Sequence, residues 1–157
     1  MKKIFVITAV LCFSLAFTSC RKGAKSLAYS YASGGTWLQA DVSYKGTKNK
    51  VMWFQLFDQV DKKDEAVKRY KNSRNKVAGN PATTVSNSMV WVLIADRYEI
   101  RLIAASKSKD YKNKKKLVDF INKFDLSGMK KAASGPKLTG EQLKKFAPKL
   151  PGLYKKK

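Results

Sequence analysis

The chain has 157 residues, with 33 Lys and Arg against 11 Asp and Glu, and a formal net charge of +22 at pH 7. It has no histidine and only two cysteines, which removes imidazole metal sites, Ser-His and Cys-His nucleophile pairs and histidine proton shuttles from consideration. Its length suits one domain with one modest core, and its charge draws polyanions while saying nothing about fold.

Met1-Lys2-Lys3 precedes an apolar run from Ile4 to Phe17, and then Thr18-Ser19-Cys20. A positive start, an apolar stretch and a small-residue zone in that order predict a signal peptide over residues 1–19. The run is about 14 residues long, shorter than the ~20 that a bilayer-spanning helix needs. Phe17-Thr18-Ser19-Cys20 resembles a bacterial lipobox, with Phe17 at the place that Leu commonly takes and small residues at the next two. The resemblance implies that Cys20 becomes the lipidated first residue of a bacterial lipoprotein. It implies a diacylglyceryl thioether and usually an amide-linked acyl chain. One acyl chain binds a membrane only marginally, whereas two or more hold it. The expected location is the cell envelope, lipid-anchored outside the cytoplasm. In a double-membrane bacterium Arg21 favours the outer membrane, because Asp at that place favours retention at the inner one. Ordinary secretion with cleavage nearby and an uncleaved N-terminal anchor are the rival readings. With Cys12 in the leader and Cys20 lipidated, the mature chain has no pair for a disulfide.

Residues 20–35, small, polar and Gly-rich at their end, are expected to be a lipidated tether; Tyr29 and Tyr31 leave a first strand open as the alternative. Trp37 to Tyr44 alternates, with Leu38, Ala40, Val42 and Tyr44 on one side and Gln39, Asp41 and Ser43 on the other, which predicts a half-buried strand. A turn over 45–49 joins it to an apolar strand, Lys50 to Phe57. Asp58 to Val77 shifts to helical spacing, with acids at its start and Gly79-Asn80-Pro81 at its stop. Met89–Ile94 and Tyr98–Ala104 predict two more strands, the first apolar on both faces. A second helix follows over about 109–124, striped by Leu117, Phe120, Ile121 and Phe124, with Gly128 beyond its end. Thr139-Gly140-Glu141-Gln142 has the form of a capping box and predicts a short helix ended by Pro148 and Pro151.

The fold class expected from this order is α+β: a single antiparallel sheet with two helices on one face, ordered β-β-α-β-β-α, plus a short C-terminal helix. The expected domains are the signal peptide 1–19, the tether 20–35, the α+β domain 36–128 and a basic C-terminal extension 129–157.

Few constellations carry chemistry. Asp58, Asp61, Asp64 and Glu65 cluster, and helix-start electrostatics explains them. Glycine-rich phosphate loops and nucleophile-elbow motifs are missing from the sequence. Ser106 and Lys109 have Ser-x-x-Lys spacing without its companion motifs, and they read as a loop. Trp37, Trp53 and Trp91 read as core or sheet face. No enzyme activity, cofactor or metal site is expected. Lys107, Lys109, Lys112, Lys114, Lys115 and Lys116 form the densest basic cluster, whose bland reading is a solvated helix face and whose functional reading is contact with an anionic surface. The basic residues are overwhelmingly Lys, which favours diffuse attraction over a shaped phosphate pocket. The function expected is a membrane-anchored, non-enzymatic binding module for an anionic envelope polymer, lipid head group or envelope protein; nucleic acid ranks last among such partners. The alternatives are a structural module binding a partner through its sheet and a small apolar-ligand carrier.

Overall fold

Alternating side chains need a partner sheet edge on each side, and seven strands supply them. A computed structural model describes residues 27–149. The strands are β1 (Leu27–Gly34), β2 (Trp37–Tyr44), β3 (Lys50–Asp58), β4 (Asn75–Val77), β5 (Asn80–Thr83), β6 (Met89–Ile94) and β7 (Tyr98–Ala104). They form one antiparallel sheet in the order β1-β2-β3-β7-β6-β5-β4. Two meanders therefore meet at the long-range β3–β7 pair, which matches Phe54 with Leu102 and Leu56 with Ile100. The helices are α1 (Lys63–Tyr70), α2 (Lys114–Ile121), α3 (Leu126–Ala132) and α4 (Gly140–Leu143).

The α+β class and the single antiparallel sheet agree with the sequence reading; the order and the helix placement do not. Residues 27–34, open between tether and strand, form β1, paired along its whole length with β2. The helix expected over 58–77 is only a 3-10 turn at Val60–Lys62 followed by α1. Asn72 and Ser73 are poor helix formers, and the Ser73 hydroxyl instead bonds the Ala82 carbonyl across the next hairpin. Ala78 and Gly79 both have positive φ, 50° and 75°. Such a pair makes a tight hairpin turn, so Gly79 completes a turn and Asn80-Pro81 begins β5, rather than the three ending a helix.

The second expected helix is also divided. Its start lies at Asn113, whose side chain accepts from the Lys116 amide at 3.2 Å, not at Lys109. A break after Ile121 lets Asp125 cap α3 through the Gly128 amide at 2.8 Å, so Gly128 lies inside a helix. Asn113→Ala should lower the unfolding free energy by about 1 kcal/mol, and Asn113→Gly by only a few tenths, in urea titrations.

One face of the sheet carries Leu38, Ala40, Val42, Met52, Phe54, Leu56, Val90, Val92, Ile94, Tyr98, Ile100 and Leu102, all inaccessible to solvent. Against it lie α2, α3 and α4 with Leu117, Phe120, Ile121, Met129 and Leu143. Phe54 is central: its ring lies 5.0 Å from Phe124 and 6.4 Å from Phe120, centroid to centroid. The first helix packs on the opposite face, where Ala66 and Tyr70 bury Leu93. This corrects the expectation of helices on one face, and the cause is β6: a strand apolar on both sides has to be covered on both.

Residues beyond 128 continue this packing, since Leu138, Phe146 and Ala147 join the same core. The expected capping box is present, with Thr139 and Gln142 each bonding the other's backbone. The Gly140 amide donates to the Gly35 carbonyl at 2.8 Å, and a β-carbon on Gly140 would run into the Trp37 carbonyl oxygen. Only glycine allows α4 to sit this close to the β1–β2 turn.

Candidate functional site

Strand direction sorts the loops into two ends with different charge. At one end lie the start of β1, the β2–β3 turn, the end of β7 and the loop that leads to α2. At the other lie the β1–β2 turn, the end of β3, the start of α1, the β6–β7 turn and α4. The second end holds Asp58, Asp61, Asp64, Glu65, Asp96 and Glu141 together with Lys62, Lys63, Arg97, Lys137, Lys144 and Lys145, so its charges nearly balance.

The first end is built from lysine. A cleft of about 570 Å³ opens there between the β2–β3 turn and the β7–α2 loop, and Lys48, Lys50, Lys107 and Lys109 line it. The backbone fixes the two walls, because the Ala105 amide donates to the Val51 carbonyl at 2.9 Å. Tyr44 and Asp110 close one side, bonded to each other through the phenol and the carboxylate. Burial, and then the bond to Asp110, push the Tyr44 hydroxyl up to about 12, so it keeps its proton at neutral pH.

Of the six lysines singled out from sequence, the structure brings Lys107 and Lys109 to the cleft. Lys112 is exposed in the loop before α2, and Lys114, Lys115 and Lys116 occupy the first turn of α2. Lys115 pairs with Asp119 at 3.0 Å and Lys116 approaches Asp110 at 4.0 Å. Lys50 pairs with Asp41 at 2.7 Å. Among the described residues, no ion pair engages Lys48, Lys107, Lys109 or Lys112. Three lysines in a helix's first turn also oppose its dipole, which prefers anions there. The arrangement thus adds positive potential where the fold alone gains nothing from it.

The cleft's other wall went unnoticed in the sequence. Lys48 lies in a turn and Lys50 opens a strand, and only strand pairing sets them against Lys107 and Lys109. Cys20 lies outside the described residues.

The open face of the sheet holds the three tryptophans. Trp37 is 38% exposed, and Trp53 and Trp91 are half-buried on the same side. The Arg101 guanidinium lies between two rings, 4.8 Å from Phe57 and 4.6 Å from Trp91. Gln55 donates to Gln39 at 3.1 Å beside it. At the edge of α1, Glu99 is fully buried and accepts from Gln59 at 2.7 Å, Tyr70 at 2.9 Å, Arg101 at 3.0 Å and Arg69 at 3.2 Å. Arg69 and Tyr70 tie α1 to β7 through this carboxylate, and Gln59 ties the segment after β3 to it, so Glu99 is engaged in holding the layers together.

Asp58 does accept from the Val60 amide at 3.1 Å, at the start of the 3-10 turn, but that is the lesser part of its role. It forms a two-point ion pair with Arg97 in the core wall, from Nε to Oδ1 at 2.8 Å and from Nη2 to Oδ2 at 2.6 Å. Among the described residues no group of three or more His, Cys, Asp or Glu is placed to hold a metal ion. No helix among them is long and apolar enough to cross a membrane. Comparison with family models, with curated proteins and with solved structures finds no match.

Proposed function

We propose that the protein is a membrane-anchored, basic envelope lipoprotein that acts without catalysis, as a binding module for an anionic envelope component. The observation that carries this reading is the lysine cleft: four ammonium groups from two separate loops, three of them without a carboxylate partner among the described residues. Lysine is a point charge on a flexible stem, and it suits a polymer or surface of phosphates better than one shaped ligand.

Two measurements test it. Labelling with a radioactive fatty acid should mark the wild type and leave Cys20→Ala unmarked. Affinity for inorganic polyphosphate, read by fluorescence anisotropy, should fall about a hundredfold between 50 and 200 mM salt if four phosphates are neutralised. Replacing Lys48, Lys50, Lys107 and Lys109 with alanine should flatten that dependence. Unlabelled wild type rejects the anchor, and affinity indifferent to salt rejects the electrostatic site.

The open face supports a second reading, an assembly module that docks a protein through its sheet. Trp37, Trp53 and Phe57 offer apolar area there. Binding of that kind should survive salt and fail in Trp53→Glu. The apolar-carrier reading gains no support, because Phe54, Phe120, Phe124, Tyr98 and Phe146 fill the space between sheet and helices.

A further inference from the structure

The lysine end and the start of the domain coincide. Leu27, the first described residue, pairs with Tyr44, which lines the cleft. Four neighbouring strands, β1, β2, β3 and β7, present their ends here. Three strand spacings, about 14 Å, separate Leu27 from the Ala105 end of β7. Seven peptide steps connect Leu27 to Cys20, so the proposed lipid site is within about 25 Å of that end even when the chain is fully extended. The far turn after Gly34 lies a further strand length away, roughly 23 Å. The end with the surplus of lysine is thus the end nearer the tether, and the end whose charges nearly balance lies on the far side.

From this juxtaposition we infer that the lysine end docks on anionic head groups of the membrane that holds the lipid. The inference rests on the lipoprotein reading and names the partner of the same cleft. Charge complementarity supports a lipid surface over a single polymer chain. Lys45, Lys48, Lys50, Lys107, Lys109, Lys112, Lys114, Lys115 and Lys116 all belong to the two loops and the helix start at this end. They spread over a width of several strands instead of converging on one point. The tether supplies high effective concentration, so each ammonium needs to contribute little. Near an anionic surface each lysine biases docking by about fivefold. Once docked, the sheet stands end-on, with the open face and its tryptophans turned sideways, free of the bilayer.

The full lipoprotein, purified in detergent and reconstituted in vesicles, tests the inference. The mature chain has one cysteine, and it is lipidated, so an introduced thiol takes a fluorophore alone. Asn49→Cys places the label in the cleft wall, and Ser134→Cys places it at the opposite end beside the carbonyls that bind Arg97. The vesicles are phosphatidylcholine, with or without about 30% phosphatidylglycerol, and carry a head-group nitroxide quencher. With phosphatidylglycerol present, the Asn49→Cys label should be quenched strongly and the Ser134→Cys label weakly. The contrast should vanish in phosphatidylcholine alone, and in about 0.5 M salt, where screening shortens to roughly 4 Å. Reversing Lys48, Lys50, Lys107 and Lys109 to Glu should lower docking by roughly a hundredfold or more while the protein still floats with the vesicles. Equal quenching at the two positions, or quenching indifferent to phosphatidylglycerol, overturns the inference. Soluble polyphosphate separates its failure from that of the broader reading. If the Asn49→Cys label responds to polyphosphate and not to phosphatidylglycerol, the membrane is the wrong partner and the anion site stands. If it responds to neither, both fall.

Discussion

Arg97→Met should lower the unfolding free energy by about 3–5 kcal/mol, a large share of what a domain of this size has. The side chain is 2% exposed and its partner Asp58 is fully covered. All five guanidinium donors are used: two reach Asp58, and the others reach the carbonyls of Ala133, Gly135 and Pro136 at 3.0, 2.6 and 2.6 Å. Asp58 in turn accepts from the Leu138 amide at 2.8 Å. Removing the cation leaves a buried carboxylate and three carbonyls without it. Arg97→Lys should restore little, because one ammonium cannot span both carboxylate oxygens and the carbonyls beyond them. Urea titrations of the three proteins measure both effects.

The same pair sets an acid limit. Burial alone would raise the Asp58 carboxyl; the hydrogen bonds from Arg97 and the Leu138 amide outweigh it and hold the group below the usual carboxylate range. A group depressed in the folded state stabilises above its unfolded value of about 3.9 and loses that contribution as pH falls through the folded one. Wild type should therefore lose stability below about pH 4, and the slope should be shallower in Arg97→Met. An identical slope in both would show that Asp58 is not the group responsible.

Phe54→Ala should cost about 3–5 kcal/mol, whereas Trp53→Ala, next to it in the chain and larger, should cost only about 1–1.5 kcal/mol. Phe54 is fully buried among Tyr29, Tyr31, Phe120 and Phe124. Trp53 is half-exposed on the open face, with the Lys50 ammonium 5.5 Å from its ring. The larger residue should cost less because it lies on the other face, so the ratio of their costs measures whether the open face is open. Comparable losses would mean that a second layer covers Trp53.

The parts of the fold legible in the sequence are those written in short-range periodicity. The alternation of β2 and β7, the stripe of Leu117, Phe120 and Ile121, and the Thr139–Gln142 box each depend on residues within a few positions of one another. The β4–β5 hairpin was hidden because Ala78 takes the first positive φ of its turn, a place where Asn or Gly is usual, and Gly79 alone reads equally well as a helix stop. The side on which α1 lies was hidden too, although the two-sided apolar character of β6 held the clue. For the site, the sequence exposed Lys107 and Lys109 as a run but not Lys48 and Lys50 as their counterpart. Asp58 and Arg97 are 39 positions apart and look like an ordinary helix acid and an ordinary turn base. Only the β3–β7 register, which puts Asp58 opposite Tyr98, makes them neighbours.

The carbonyls that receive Arg97 come from residues 133–136, late in the chain. Synthesis proceeds from the other end, so a ribosome that has completed every strand has delivered Asp58, which neutralises Arg97, but not the carbonyls that take its remaining donors. Until residues 133–136 emerge, three of the five guanidinium donors lack the acceptors they have in the folded protein.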